Sequence, residues 1–174
     1  MRPPGTCVAP DRYSRGVRRT SKLLAITGVL GFLLVGCGDV PKPDVSFFAD
    51  GRTIVVAPFQ YCDVRVTKCE PGPDNVGILA MPANKPIQIS VAPEIAETPW
   101  RVVVSYKDAG GKVQDAVSKQ FSPDERSAFT LHPPTDAVSI ESVQVIQLGA
   151  ALIPSDDKGG FDAAARGRWV VQTP

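Results

Sequence analysis

The sequence from Val45 onward predicts an all-β domain: an antiparallel β-sandwich of immunoglobulin-like topology, with a small Greek-key barrel as the second choice. Three observations carry this. Short apolar runs are separated by turn signals roughly every ten residues. The clearest run places Trp100, Val102, Val104 and Tyr106 on one face by strict alternation. No stretch after Cys37 holds a helical period for three turns.

The elements follow in order. Val45 to Ala49 and Arg52 to Ala57 flank Asp50-Gly51, a hairpin signal, and Pro58 ends the second run. Phe59 to Val66 continues as a strand that contains Cys62, and residues 70–75 (EPGPDN) read as a loop. Val76 to Met81 is a short strand. In KPIQISVA, residues 85–92, Ile87, Ile89 and Val91 alternate with Gln88 and Ser90. Asp108 to Gly111 turns the Trp100 strand back into Lys112 to Phe121. Phe129 and Leu131 point inward from a strand that Pro133-Pro134 stops. Ile140 to Leu148 is apolar on both faces near its middle, which a bulge or a fully buried strand explains. Residues 154–165 read as a polar loop, and Trp169 and Val171 close the chain in a last strand. Single helical turns are expected at Glu94 to Glu97 and at Pro123 to Ser127.

The front of the chain has a different character. Residues 1–37 hold six basic side chains and one acidic one, whereas the rest holds 13 basic and 17 acidic. A small domain with that acidic excess repels phosphate backbones, so nucleic acid is not an expected partner. Residues 12–22 form a basic segment, and the thirteen residues 23–35 (LLAITGVLGFLLV) are uncharged. That length suits a signal-peptide helix and falls short of the roughly 20 residues of a spanning one. Arg18-Arg19 lacks the apolar pair that a twin-arginine signal wants next, because Ser21 and Lys22 follow.

Leu34-Val35-Gly36-Cys37 resembles the lipobox of bacterial lipoproteins. The resemblance implies a diacylglycerol on the Cys37 thiol and cleavage in front of it. The expected organisation is a signal peptide over 1–36, a lipid-anchored tether over 37–44 and a sandwich over 45–174. The expected location is the extracytoplasmic face of the cell membrane.

Of four cysteines, Cys7 falls in the leader and Cys37 takes the lipid. Cys62 and Cys69 remain, and an even pair in an exported protein favours a disulfide. A metal site is not expected, since two sulfurs lack partners and the only histidine, His132, lies far along the chain.

The segments ADGRTIVVAPFQYCDV, PIQISVAPEIAETPWRVVVSY, SPDERSAFTL and ARGRWVV resemble an actinobacterial family of lipoproteins with a domain of unknown function. The likeness covers nearly all of residues 40–172. It implies the anchor and the disulfide, and it brings no activity, cofactor or catalytic residues.

Candidate chemistry is sparse. A Ser-His-Asp site would have to use His132, and no GxSxG elbow accompanies it. Asp156-Asp157 lacks the spaced oxygens of a calcium loop. Asp124-Glu125 suits the start of a helical turn, and Glu94 with Glu97 is an acidic pair without evident convergence. Trp100 and Trp169 read as core anchors. Arg166 and Arg168, two apart on a strand, are expected on one solvent face able to meet an anionic group. The expectation is therefore a non-catalytic binding or scaffolding module without catalytic residues, cofactor or metal, whose partner is an envelope protein or lipid. A carrier of an apolar ligand between the sheets comes second, and an envelope hydrolase last.

Overall fold

The computed structural model describes residues 41–154 and 160–174. The signal peptide, the lipobox with Cys37, and Asp156-Asp157 lie outside the described residues. Residues 39–174 make one compact unit.

The domain is a two-sheet sandwich, as its alternating runs require. One sheet holds β1 (Val45–Ala49), β2 (Arg52–Val56), β6 (Ile87–Val91) and β9 (Ala128–Leu131), in the order β2-β1-β6-β9. The other holds β3 (Gln60–Cys62), β4 (Cys69–Pro71), β5 (Val76–Ile78), β7 (Trp100–Asp108), β8 (Val113–Val117), β10 (Ala137–Pro154) and β11 (Phe161–Gln172). Its order is β4-β3-β11-β10-β7-β8, with β5 also against β11. The orders β1-β6-β9 and β11-β10-β7-β8 follow the A-B-E and G-F-C-C′ strands of the immunoglobulin fold. A fourth strand beyond β9 is missing among the described residues. The pairing of β5 with β11 is parallel, an exception to the antiparallel expectation.

Alternation decides what is buried. Ile87, Ile89 and Val91 face inward from β6, and Trp100, Val102, Val104 and Tyr106 face them from β7. Trp100 and Phe121 pack at 4.6 Å between ring centres, and Phe121 meets Phe129 at 5.1 Å. Such offset aromatic contacts add to the burial itself. Trp100 and Trp169 are both wholly buried, as core anchors should be.

Between β6 and β7 lies α1 (Pro93–Ala96), a single turn that starts at a proline and buries Ile95 and Ala96. Gln147 of β10, fully buried, donates from Nε2 to the Glu94 carbonyl (3.0 Å) and to Thr98 Oγ1 (2.8 Å). This satisfies the amide nitrogen and pins the turn to the sheet, while Gln147 Oε1 is buried without a partner among the described residues.

Three expectations are corrected. Pro123 to Ser127 is not helical: Asp124 has φ 59°, and Glu125 N–H donates to the Ser122 carbonyl at 3.1 Å. Proline followed by a left-handed residue makes a tight turn. Residues 70–75 are not all loop, because Cys69–Pro71 pairs with β3. Of residues 154–165, Pro154 and Phe161 to Ala165 are strand and not loop: β10 runs to Pro154 and β11 starts at Phe161, paired as Leu152↔Ala163, Ile153↔Asp162 and Pro154↔Phe161. Both explanations expected for Ile140 to Leu148 contribute: register shifts flank its middle, and within it Val145 to Leu148 are buried one after another.

The incoming chain is held before Val45. Pro43 is buried, and its carbonyl accepts the Trp169 indole N–H at 2.9 Å. Gly167 leaves room for that indole, since a Cβ on it would sit 2.6 Å from Trp169 Cη2 and 3.1 Å from Gln147 Oε1. Gly167→Ala is expected to lower stability by roughly 1–3 kcal/mol through overpacking, read as a lower denaturant midpoint. An unchanged midpoint would show that the pocket yields freely.

Candidate binding surfaces

Two surfaces and one histidine are the places where chemistry can reside. The first surface surrounds the disulfide hairpin. Cys62 and Cys69 face each other across β3 and β4 and are bonded at 2.03 Å. The loop between them is tied by Asp63. Its Oδ1 accepts the N–H groups of Thr67 (2.6 Å) and Lys68 (3.1 Å), and its Oδ2 accepts the Thr67 hydroxyl (2.7 Å). The Thr67 hydroxyl first, and then the Lys68 amide, hold the Asp63 carboxyl below its ordinary value. Val66 in this loop has φ 56°, a strained conformation for a β-branched residue. Its side chain packs toward Gly149, where a Cβ would lie 2.5 Å from Val66 Cγ2.

Beside this hairpin is an open cleft of about 770 Å³, lined by Lys42, Tyr61, Asp63, Glu70 and Arg166 among others. Four of its charged side chains are committed. Lys42 pairs with Glu70, and Asp63 is used by its own loop. Arg166 donates from Nε to the Cys62 carbonyl at 3.3 Å and lies 5.2 Å over the Tyr61 ring. Arg166 and Arg168 do not form the single basic face expected of them. Gly167 pairs with Gln147 but Ala165 pairs with Leu148, so Arg166 is the extra residue of a bulge. Arg168 stands in register with Gln60 and Ile146 instead.

The second surface is the side of the sandwich between β8 and β9. A groove of about 370 Å³ opens there, lined by Val104, Ala116, Val117, Phe129, Leu131 and His132, among others. The β9 edge can be worked out from its register. Val91 N–H donates to the Ser127 carbonyl. By antiparallel alternation, Phe129 and Leu131 are then the residues that exchange hydrogen bonds with β6. Ala128 and Thr130 turn their N–H and C=O groups away from β6. Both are exposed, and no hydrogen bond to their backbones occurs among the described residues outside the β6 ladder. This edge can accept another strand.

His132 is exposed at the end of β9, and no hydroxyl, thiol or carboxylate is hydrogen-bonded to it among the described residues. Glu94 and Glu97 are exposed around α1. Glu125 accepts from Lys119 and from the Ser122 N–H, which spends that acid on a turn. Among the described residues no three His, Cys, Asp or Glu side chains gather as metal ligands do. The carrier reading requires room between the sheets, and Trp100, Trp169, Phe47 and Phe121 fill that space.

Residues 39–174 match the family described as "Protein of unknown function (DUF2771)". The chain belongs to this family. It is 31% identical over 123 residues to an uncharacterized protein of Mycobacterium tuberculosis (strain ATCC 25618 / H37Rv), covering 67% of this chain and 73% of the relative. An uncharacterized protein of Mycobacterium bovis (strain ATCC BAA-935 / AF2122/97) matches equally: 31% over 123 residues, 67% and 73%. No solved structure matches. A domain of unknown function, as the sequence segments suggested, is matched. Membership assigns no chemistry to the cleft or the groove, and their meaning rests on geometry.

Sequence reasoning missed the β9 edge, because a free edge is a property of pairing and leaves no local signal. The committed role of Asp63 is testable by pH. Its carboxyl is lowered on folding, so its contribution is present above the unfolded value of 3.8 and is lost as pH falls through the folded value. Asp63→Asn is expected to speed amide exchange at Thr67 and Lys68 at neutral pH, with the difference from wild type vanishing in strong acid. An equal difference at both pH values would contradict this.

Proposed function

We propose that this protein is a non-catalytic binding module, held on the outer face of the cell membrane by lipid on Cys37, which takes an extended segment of a partner protein along β9. The observation that carries the binding half is the open β9 edge above an apolar groove. Ala128 and Thr130 offer backbone donors and acceptors in strand spacing, and Val104, Ala116, Phe129 and Leu131 line the space below. An added strand would match both, pairing its backbone with the edge and seating alternate side chains in the groove. Support for the anchor half comes from position. The compact unit and the family match both begin at residue 39, two residues after the lipobox cysteine. Cleavage before Cys37 would leave that domain whole.

The two halves have separate tests. A photocrosslinking residue at Thr130 in living cells is expected to give a protein adduct, and the same residue at the exposed Val55 to give none. Equal yields from both would argue against the edge. Thr130→Pro removes one outward N–H while leaving the Phe129 and Leu131 bonds to β6 in place, and it should reduce that adduct when the crosslinker is moved to Ala128. For the anchor, wild-type protein is expected to take up labelled fatty acid and Cys37→Ser to remain an uncut, unlabelled precursor. Label on Cys37→Ser would defeat the lipobox reading. His132→Ala trims one wall of the groove and breaks no side-chain hydrogen bond among the described residues, so thermal stability is expected to be unchanged.

A further inference from the structure

The long hairpin of β10 and β11 outruns the sheet that it belongs to. The last β7 partner on β10 is Trp100, opposite Gln147, and the last β3 partner on β11 is Tyr61, opposite Gly167. Gln147 and Gly167 face each other, so both flanking strands stop at one level. Beyond it, the Leu148 and Ala150 N–H groups still donate to the Pro99 and Val64 carbonyls, and from Leu152 to Pro154 the ribbon pairs only with Phe161 to Ala163. An isolated two-stranded ribbon is marginal in water without something to cover it. Toward its outer end the apolar side chains are bare: Phe161 is 70% exposed, Leu152 66% and Ile153 49%, whereas Leu148 and Ala164 are buried. Leu152 and Pro154 share a face, and so do their opposite residues Ala163 and Phe161. Asp162 is the one charged residue among the described residues of this outer part.

The incoming chain arrives at the same pole. Val45 starts β1 opposite Val91, the last residue of β6, from which α1 leads to Trp100 at the base of the ribbon. Register sets the height more closely. Lys42 pairs with Glu70, Glu70 stands opposite Tyr61, Tyr61 opposite Gly167, and Gly167 opposite Gln147. Lys42 is therefore held level with the ribbon's base. From Lys42 back to Cys37 is five residues, at most about 18 Å of extended chain. On the ribbon, β11 from Ala165 to Phe161 is four residues, about 13 Å, and the extra residues of β10 between Leu148 and Leu152 form an irregularity. A bilayer holding Cys37 can stand only about 5 Å beyond the described end of the ribbon even when the tether is fully extended.

We infer that the ribbon rests in the interface of the membrane that carries the anchor, with Leu152, Pro154 and Phe161 against the lipid. This inference rests on the lipid-anchor reading of Cys37. The occupant is a lipid surface because the tether holds one within a few ångströms of the ribbon at most, and because an exposed apolar patch gains by leaving water. The contact is apolar, so salt does not release it. The anchor and the ribbon together fix the domain upright and turn the β9 edge sideways, free for a partner.

The test uses acylated Phe161→Trp protein in phosphatidylcholine–phosphatidylglycerol vesicles whose acyl chains carry bromine. Trp100 and Trp169 are wholly buried, so the wild-type protein supplies the background. The added tryptophan is expected to shift its emission to the blue and to be quenched severalfold by the brominated lipid, equally at low and high salt. A control, Val113→Trp on the exposed edge of β8, is expected to be unaffected. If Cys37 carries its acyl chains by mass and the tryptophan at 161 is quenched only by aqueous iodide, the ribbon inference is overturned and the anchor stands. If the mass shows no acyl chain on Cys37, both fall.

Discussion

One hydrogen bond joins the two ends of this fold. The Trp169 indole, wholly buried near the end of the last strand, donates to the carbonyl of Pro43, just before the first. Around it the sequence makes room and support. Gly167 has no side chain to strike the ring, Tyr61 meets it edge-on at 6.1 Å, and Gln147 stands across from Gly167 and ties α1 to the sheet. A buried indole N–H without an acceptor is costly, so the incoming chain is part of the core chemistry and not an appendage. Its position then decides which pole of the sandwich lies beside the incoming chain.

That constraint orders the functional surfaces. The pole with α1, the disulfide hairpin and the β10–β11 ribbon lies beside the incoming chain, whereas the open β9 edge runs along the side. The disulfide sits outside the sandwich interior. It closes a hairpin whose loop, tied by Asp63 and strained at Val66, packs against Gly149 at the base of the ribbon. In the chain-entropy view a loop this short contributes about 2.5 kcal/mol, enough to offset the strain of one left-handed valine. The mixed charges of the neighbouring cleft hold loops in place, which leaves little there for acid–base chemistry.

How much of this was legible beforehand depended on whether the signal was local. Ile87 to Val91 and Trp100 to Tyr106 alternate strictly because each has one wet and one dry face, and the structure follows them residue by residue. Asp50-Gly51 made its hairpin, with Asp50 at φ 48° and Gly51 at φ 77°. The cysteine pair was equally plain. Residues 154–165 read as loop because alanine, glycine and aspartate carry weak strand preference, and only the pairing of Phe161 to Ala165 with the end of β10 reveals the ribbon. Arg166 and Arg168 looked like one face because strict alternation was assumed, and a bulge interrupts it. The parallel pairing of Val76–Ile78 with the last strand and the open edge at Ala128 and Thr130 are long-range outcomes, invisible to any window of sequence.

The claim on which the arrangement turns is that Trp169 holds the incoming chain at Pro43. Hydrogen exchange of the Trp169 indole N–H, followed by NMR, tests it most directly. The account predicts exchange as slow as that of the Val143 and Val145 amides, and a marked acceleration when residues through Pro43 are removed. Exchange as fast as that of a free indole in the intact domain would contradict it.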